Sequence, residues 1–355
     1  MKVIKMTIRK AVFIGATLVA CSSVYAGNGN RVGSAGATEL LINPWARSLS
    51  WGGAGVSSVN GLEATYTNIA GLAYTDKTQI KFNYTNWLGG AGINIYAAGI
   101  AQRLSKNDVI AVSLQSFGFG DIQITTVALP EGGMGTFSPR YNIINLGYAR
   151  TFSKSITGGI NVKVINESIS NLKSTGIAFD AGIRYVTGKK DQMKFGITLK
   201  NVGPTMRYKG DGLATQGNYV NTTQQASLEQ RSADIELPSS LSIGASYDFL
   251  MGKMNKLTLA AAFAANSFSE DQYSVGLDYG FTSEKAAFNI RCGYVMEKNI
   301  FKKVYRTNAL TGFTAGASVD ILVGKNKTAL GIEYGVRLSS PFGPIHTIGA
   351  TISLK

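Results

Sequence analysis

His346 is the only histidine of the chain, and Cys21 and Cys292 are the only cysteines. An imidazole-based triad would have to form around His346, and no Cys/His cluster has zinc-ligand spacing. Two carboxylates draw notice because each is followed four residues later by a guanidinium: Asp180 by Arg184, and Glu333 by Arg337. Acid–base chemistry needs such groups within hydrogen-bond reach. All four lie in segments of strand-like alternation, where residues i and i+4 are roughly 13 Å apart, so neither pair meets within its own segment. They are expected to pair across the sheet's enclosed interior or with Arg47, Glu39 or Glu63 of the segment that precedes the first strand. The clusters Gly118-Phe119-Gly120 and Gly132-Gly133-Met134-Gly135 have no helix behind them to hold a phosphate and read as loop glycines. No catalytic, cofactor-binding or metal site is expected.

The elements that carry these groups alternate with a period of two. In the stretch Thr175 to Val186, Ile177, Phe179, Ala181, Ile183 and Tyr185 fall on one face, and Ala178, Asp180, Gly182 and Arg184 on the other. A strand sends successive side chains to opposite faces. Leu330, Ile332, Tyr334 and Val336 likewise oppose Gly331, Glu333, Gly335 and Arg337, and Val319 and Ile321 oppose Ser318 and Asp320. Cys292 shares the apolar face with Phe288, Ile290 and Tyr294 and reads as a small hydrophobe. The segments run to about 10 to 14 residues, which suits tilted spans of a bilayer. Aromatic residues gather near segment ends, as in interfacial girdles. The second face is mainly glycine, alanine and serine with a few charges, too sparsely charged for a solvated surface and suited to a crowded interior. The apolar face is therefore assigned to lipid.

Counting gives about fourteen strands, near 79–87, 91–103, 108–119, 140–152, 155–168, 174–187, 192–201, 238–250, 255–268, 272–282, 285–296, 310–323, 327–338 and 343–354. Every other connection is short: Ser105-Lys106-Asn107, Ser153-Lys154, Gly188-Lys189-Lys190, Met251-Gly252-Lys253, Ser283-Glu284 and Gly324-Lys325-Asn326. The alternate set holds the long ones, Asp121 to Pro139, Val202 to Leu237 and Glu297 to Ala309. Short periplasmic turns opposite longer outer loops, with an even strand count, describe an outer-membrane barrel. The fold class expected is all-β, a transmembrane barrel of antiparallel strands over 79–355.

The N-terminus reads as a targeting segment over 1–26. Lys2, Lys5, Arg9 and Lys10 precede an apolar run from Ala11 to Ala20, too short to span a bilayer. Val24-Tyr25-Ala26 fits small-x-small cleavage, placing Gly27 first in the mature chain. The alternative is a lipobox at Leu18-Val19-Ala20-Cys21, leaving a lipidated Cys21. Losing the four basic residues lowers the net charge from +14 to +10. The remaining lysines and arginines are scattered, so no nucleic-acid surface is indicated. An exported basic chain meets outer-membrane lipids and glycans instead.

Between targeting segment and first strand, 27–78 lacks the strand-turn rhythm. Its core, Glu39 to Ala73, carries the bend signals Asn43-Pro44, Gly52-Gly53, Gly61 and Gly71, together with Trp45 and Trp51. A bent segment rich in large apolar groups must be packed inside something, and we read it as a plug within the barrel. Leu41-Ile42-Asn43-Pro44-Trp45-Ala46-Arg47-Ser48, Gly52-Gly53-Ala54-Gly55-Val56, Glu63-Ala64 and Asn68-Ile69-Ala70-Gly71-Leu72-Ala73 resemble the PorV/PorQ family of the type IX secretion system, which is similar in fold to FadL transporters. The family usually has Asn-Pro-Ala-Gly-Leu in the last motif, and Ile69 stands here in place of proline. The resemblance is specific from Glu39 to about Trp87 and architectural beyond. It implies a fourteen-strand outer-membrane barrel that works with a type IX translocon subunit on secreted cargo carrying C-terminal sorting domains.

Three classes of function compete, and an outer-membrane enzyme is the weakest of them for want of a catalytic constellation. A secretion component would use outer loops or the lipid-facing wall. A FadL-like transporter of hydrophobic small molecules would need an apolar path inside. The inward face carries Lys81, Lys163, Asp180, Arg184, Lys194, Lys200, Asp248, Asp278, Arg291, Asp320, Glu333 and Arg337. That reads as a polar interior packed around a plug, which favours the secretion class.

Overall fold

A computed structural model of the chain describes residues 29–218, 225–298, 308–324 and 328–354. The targeting segment, the candidate lipid site at Cys21 and the turn residues Lys325-Asn326 lie outside the described residues, as do parts of two long outer connections.

Fourteen long strands form the wall: β1 Thr78–Trp87, β2 Ile93–Arg103, β3 Asp108–Gly118, β4 Arg140–Thr151, β5 Ile156–Ile169, β6 Leu172–Thr187, β7 Met193–Val202, β8 Ser240–Met251, β9 Asn255–Asn266, β10 Gln272–Thr282, β11 Ala286–Glu297, β12 Gly312–Val323, β13 Thr328–Ser339 and β14 Gly343–Leu354. Each agrees with its expected segment to within a few residues. Every strand pairs antiparallel with its neighbours, and β1 pairs with β14 from Thr78↔Leu354 to Asn86↔His346, which closes the sheet. Closure leaves no unpaired edge, the condition for strands to cross a bilayer.

The face assignment holds. Ile183 is 59% exposed and Ile332 70%, while their neighbours Arg184 and Glu333 are buried inside. Outward aromatic pairs sit near both ends of the wall, Tyr185 with Phe195 at one and Phe263 with Tyr273 at the other. Thr78 and Leu354 share one end with the short turns, the periplasmic end on this reading.

One irregularity interrupts the ladder. The β6–β7 register shifts between Phe179 and Ala181, with Asn201 in a left-handed conformation at φ 59. A bulge of this kind re-aims the chain it terminates. Beyond it, the β7–β8 connection runs outward as a long hairpin. Met206 bridges Ile235, 208–209 pairs with 173–174 of β6, and 214–218 pairs with 225–229. The 119–139 connection carries a smaller hairpin, 122–123 on 136–137.

The segment before β1 lies inside the barrel. It is a chain of short turns, 3-10 at 38–41, 54–57, 61–65 and 69–74, with one α turn at Ala46–Ser50. Trp45, Leu49, Leu62, Ile69 and Leu72 are almost fully buried. No turn is long enough to be stable alone, so contact with the wall fixes them.

Candidate functional site

The inward glycines are where the plug touches the wall. A Cβ at Gly182 would lie 2.1 Å from Asn68 Oδ1, at Gly293 2.5 Å from the Trp51 carbonyl, at Gly316 2.0 Å from Ser50 Oγ and at Gly335 2.7 Å from the Ala46 carbonyl oxygen. Any side chain there would push the plug away. The small inward residues read from the sequence thus serve close backbone approach.

The motif residues build the plug itself. Asn43 Oδ1 accepts from the Trp45 amide at 3.0 Å while Asn43 Nδ2 donates to Ser48 Oγ at 3.0 Å, fixing the turn through Pro44. Gly52 and Gly53 take φ 59 and 87, where side chains are rare, and turn the chain beneath β11 and β12. Asn68 accepts from the Ala70 amide at 3.1 Å, which caps the 3-10 turn at its start, and donates to the Val56 carbonyl at 2.9 Å. Gly71 lets the chain pass Val59, whose carbonyl oxygen would lie 2.2 Å from a Cβ there. Ile69, in the proline position of the motif, packs with Leu72 on Gly147 of β4. A buried apolar contact takes the place of proline's rigidity.

A buried ion network ties plug to wall. Glu333 accepts from Arg47 Nε at 2.5 Å and pairs with Lys81 Nζ at 2.7 Å. Lys81 also pairs with Glu63, and Arg47 Nη2 lies 2.5 Å from Asp320 Oδ1. Glu63 further accepts from the Ser48 amide at 2.7 Å. Arg47 and Glu63 belong to the plug, and Lys81, Asp320 and Glu333 to β1, β12 and β13. Arg291 bonds Ser318 Oγ at 3.0 Å and lies 3.4 Å from Asp278. Low-dielectric charges hold only when mutually satisfied, and here satisfaction requires the plug in place.

Two expected pairings are corrected. Asp180 reaches neither across the barrel nor to the plug. It pairs with Lys163 of the adjacent strand at 2.7 Å and accepts from the Asn201 amide at 2.8 Å, so it holds the β7 bulge. Neighbouring strands are the nearest source of a partner, about 4.8 Å away. Arg184 does reach the plug, but bonds neutral oxygens, the Val59 carbonyl at 3.0 Å and Asn60 Oδ1 at 2.7 Å, with its guanidinium 4.2 Å from the Tyr74 ring. Arg337 has no ion-pair partner among the described residues, and its Nε is buried without a hydrogen-bond acceptor.

The expectation of a uniformly polar interior is also corrected. The middle and periplasmic parts are polar on the β7–β11 side, with a cavity of about 250 Å³ lined by Arg47, Asn60, Lys194, Asp278 and Arg291 among others, whereas on the β2–β4 side Leu62, Ile69 and Leu72 of the plug pack on Ala97, Ala101, Val109 and Ala111. The outer part divides in two. On the β14 and β1–β6 side, inward Trp87, Ile95, Phe117, Ile143, Ile165 and Ile345 form a packed apolar layer under Ala37, Leu40, Met206 and Leu237. On the β7–β13 side lies a cavity of about 130 Å³ whose lining mixes Lys200, Arg337 and neutral polar groups with Leu41, Val56 and Val295. The signal for the apolar layer was adjacent apolar residues at strand ends, Ile143-Ile144 and Val164-Ile165, where both faces are greasy. His346 sits on the outer face with Nδ1 2.6 Å from the Tyr334 hydroxyl. Among the described residues no group of side chains has metal-ligand geometry.

The fold is similar to that of solved outer-membrane barrels. The chain is similar to a Pseudomonas aeruginosa FadL homologue (11% identity, 87% of this chain and 98% of that one, TM-score 0.52). It is also similar to the toluene transporters TbuX of Ralstonia pickettii and TodX of Pseudomonas putida (each 12% identity, 88% of this chain and 98% of that one, TM-score 0.53). At such identity the likeness establishes the fold. No protein-family model and no curated protein matches the sequence.

Proposed function

We propose that this chain is a non-enzymatic outer-membrane barrel of the type IX secretion system, which docks on the translocon and receives secreted proteins at its outer surface. One observation carries the reading. The residues that resemble the PorV/PorQ family, Asn43 to Ser48, Glu63 and Asn68 to Leu72, are those that fill the lumen and lock it through Arg47 and Glu63. A lumen so filled has no room for a polypeptide, so cargo binds outside. The surfaces suited to it are the 203–239 hairpin, where Leu228 is 58% exposed, and the lipid-facing wall.

Specific observations favour a second reading, uptake of hydrophobic small molecules. The solved structures of similar fold include toluene transporters, and they count for this reading and not for the first. The apolar layer beneath Ala37 and Leu40 would be its binding surface.

A deletion strain separates the two. Loss of surface delivery of sorting-domain proteins, with normal growth on hydrophobic compounds, supports secretion. Unchanged secretion with impaired uptake supports transport. Photo-crosslinkers at Thr215 and Leu228 should capture a translocon subunit or cargo protein in secreting cells, and capture of neither would overturn the first reading.

A further inference from the structure

A cavity of mixed lining in the outer half of the lumen is bordered by two cations and no described carboxylate. Arg337 of β13 is 8% exposed and lines the cavity, and its Nε is buried without a hydrogen-bond acceptor. Lys200 of β7 borders the same space, its Nζ 3.5 Å from the Tyr66 carbonyl oxygen and 4.7 Å from the Tyr66 ring centre. Asn43, Ser240, Ser242, Gln272 and Ser274 complete a rim of neutral hydrogen-bonding groups. The acid that acts on Lys200 electrostatically, Asp180, is held by Lys163 at 2.7 Å and by the Asn201 amide at 2.8 Å.

This contrasts with the middle of the barrel. There Lys81 and Arg47 are each bracketed by two carboxylates. A buried guanidinium with an orphaned donor is costly unless something accepts from it. Arg337 stands beside a space large enough for a small molecule, and two cations with neutral donors around them make an oxyanion receptor. We propose that this cavity binds a small oxyanion, a carboxylate or a phosphate, between Arg337 and Lys200. Its size excludes a long acyl chain, and the apolar part of its lining, Leu41, Val56 and Val295 among it, leaves the two cations and the neutral polar groups as the places where a ligand is held. The site is independent of both functional readings above, since neither uses this cavity.

Titration calorimetry on the refolded, detergent-solubilised barrel tests it, with inorganic phosphate and acetate as separate probes and choline chloride matching ionic strength. The expected result is saturable binding of at least one probe. Arg337→Gln and Lys200→Gln should each weaken it about tenfold or more, the usual size of a charge-assisted hydrogen bond. Preference between the probes identifies the class. Retained heat-modifiable mobility on gels shows that each variant is folded, and each variant is read alone, so misfolding of one leaves the other decisive. Thermal unfolding gives a second readout. The bound probe should raise the parent midpoint, and Arg337→Met should abolish that rise while matching or exceeding the parent's midpoint without probe. Absence of saturable binding by both probes would overturn the proposal. So would binding unchanged in both variants, or an Arg337→Met midpoint well below the parent's with no probe effect in either.

Discussion

Replacing Lys81 by methionine should unseat the plug. The Lys81 side chain is 2% exposed, and its Nζ pairs with Glu63 of the plug and with Glu333 of β13, the latter at 2.7 Å. Methionine fills much of the volume but leaves two carboxylates facing each other. Glu333 retains Arg47 at 2.5 Å, whereas among the described residues Glu63 retains the Ser48 amide at 2.7 Å, with Arg47 and Arg291 acting on it only at longer range. Removing one partner of a buried ion pair costs about 3–5 kcal/mol. The loss should fall at the upper end, because two acids lose one base. Trp45 is a built-in reporter, its ring 5.8 Å from Lys81 Nζ. Guanidinium unfolding in lipid vesicles, followed by tryptophan fluorescence, should show the midpoint drop, and protease should cleave within 46–74 before the wall unfolds. Adding Glu63→Gln should restore about half or more of the loss, since it removes the uncompensated charge. A loss below about 1 kcal/mol, or a double variant no better than the single one, would refute the claim that charge satisfaction locks the plug.

Arginine at Ile183, Val319 or Ile332 puts a charge on the lipid-facing wall and should cost roughly 2–4 kcal/mol near the midplane, read as lower folding yield in vesicles. Parent-like yields in all three would invert the face assignment. Gly293→Val places its side chain against the Trp51 carbonyl, 2.5 Å from a Cβ. It should cost about 1–3 kcal/mol by overpacking, with greater protease sensitivity of the plug than of the wall. Glu39 of the plug is buried beside Glu167, and burial first, then that neighbouring charge, push its carboxyl up from 4.5 to about 8. The folded chain therefore holds a proton that the unfolded chain releases. Stability should fall as pH rises from about 4.5 to about 8, by up to about 1.4 kcal/mol per unit. Glu39→Gln should flatten that slope in unfolding curves taken across the window.

The wall was legible because lipid enforces it. Each span must pair every backbone group and show apolar side chains outward, so alternation at Ile177 to Tyr185 or Leu330 to Val336 leaves one fold open to the chain. Loop lengths gave its orientation, and the bend signals with Trp45 and Trp51 gave the plug. Alternation, however, states only which face a residue takes. It is silent on depth and on stagger between strands, and these decide partners. Asp180 meets Lys163 because β5 and β6 are staggered to pair Asn161 with Asp180, which brings Lys163 within reach. Ile95, Phe117, Ile143, Ile165 and Ile345 lie on the same inward parity as the charges, but at the outer end, where they meet Leu40 and Met206 rather than Arg47. Arg337 shares the strand and face of Glu333, four residues nearer the outer end. That distance separates a carboxylate held by two cations from a guanidinium beside a cavity with no carboxylate in its lining. Parity is a local property written in each segment. Depth and stagger arise only when fourteen segments close on one another and on the plug, so the pairing of the charges belongs to the tertiary structure.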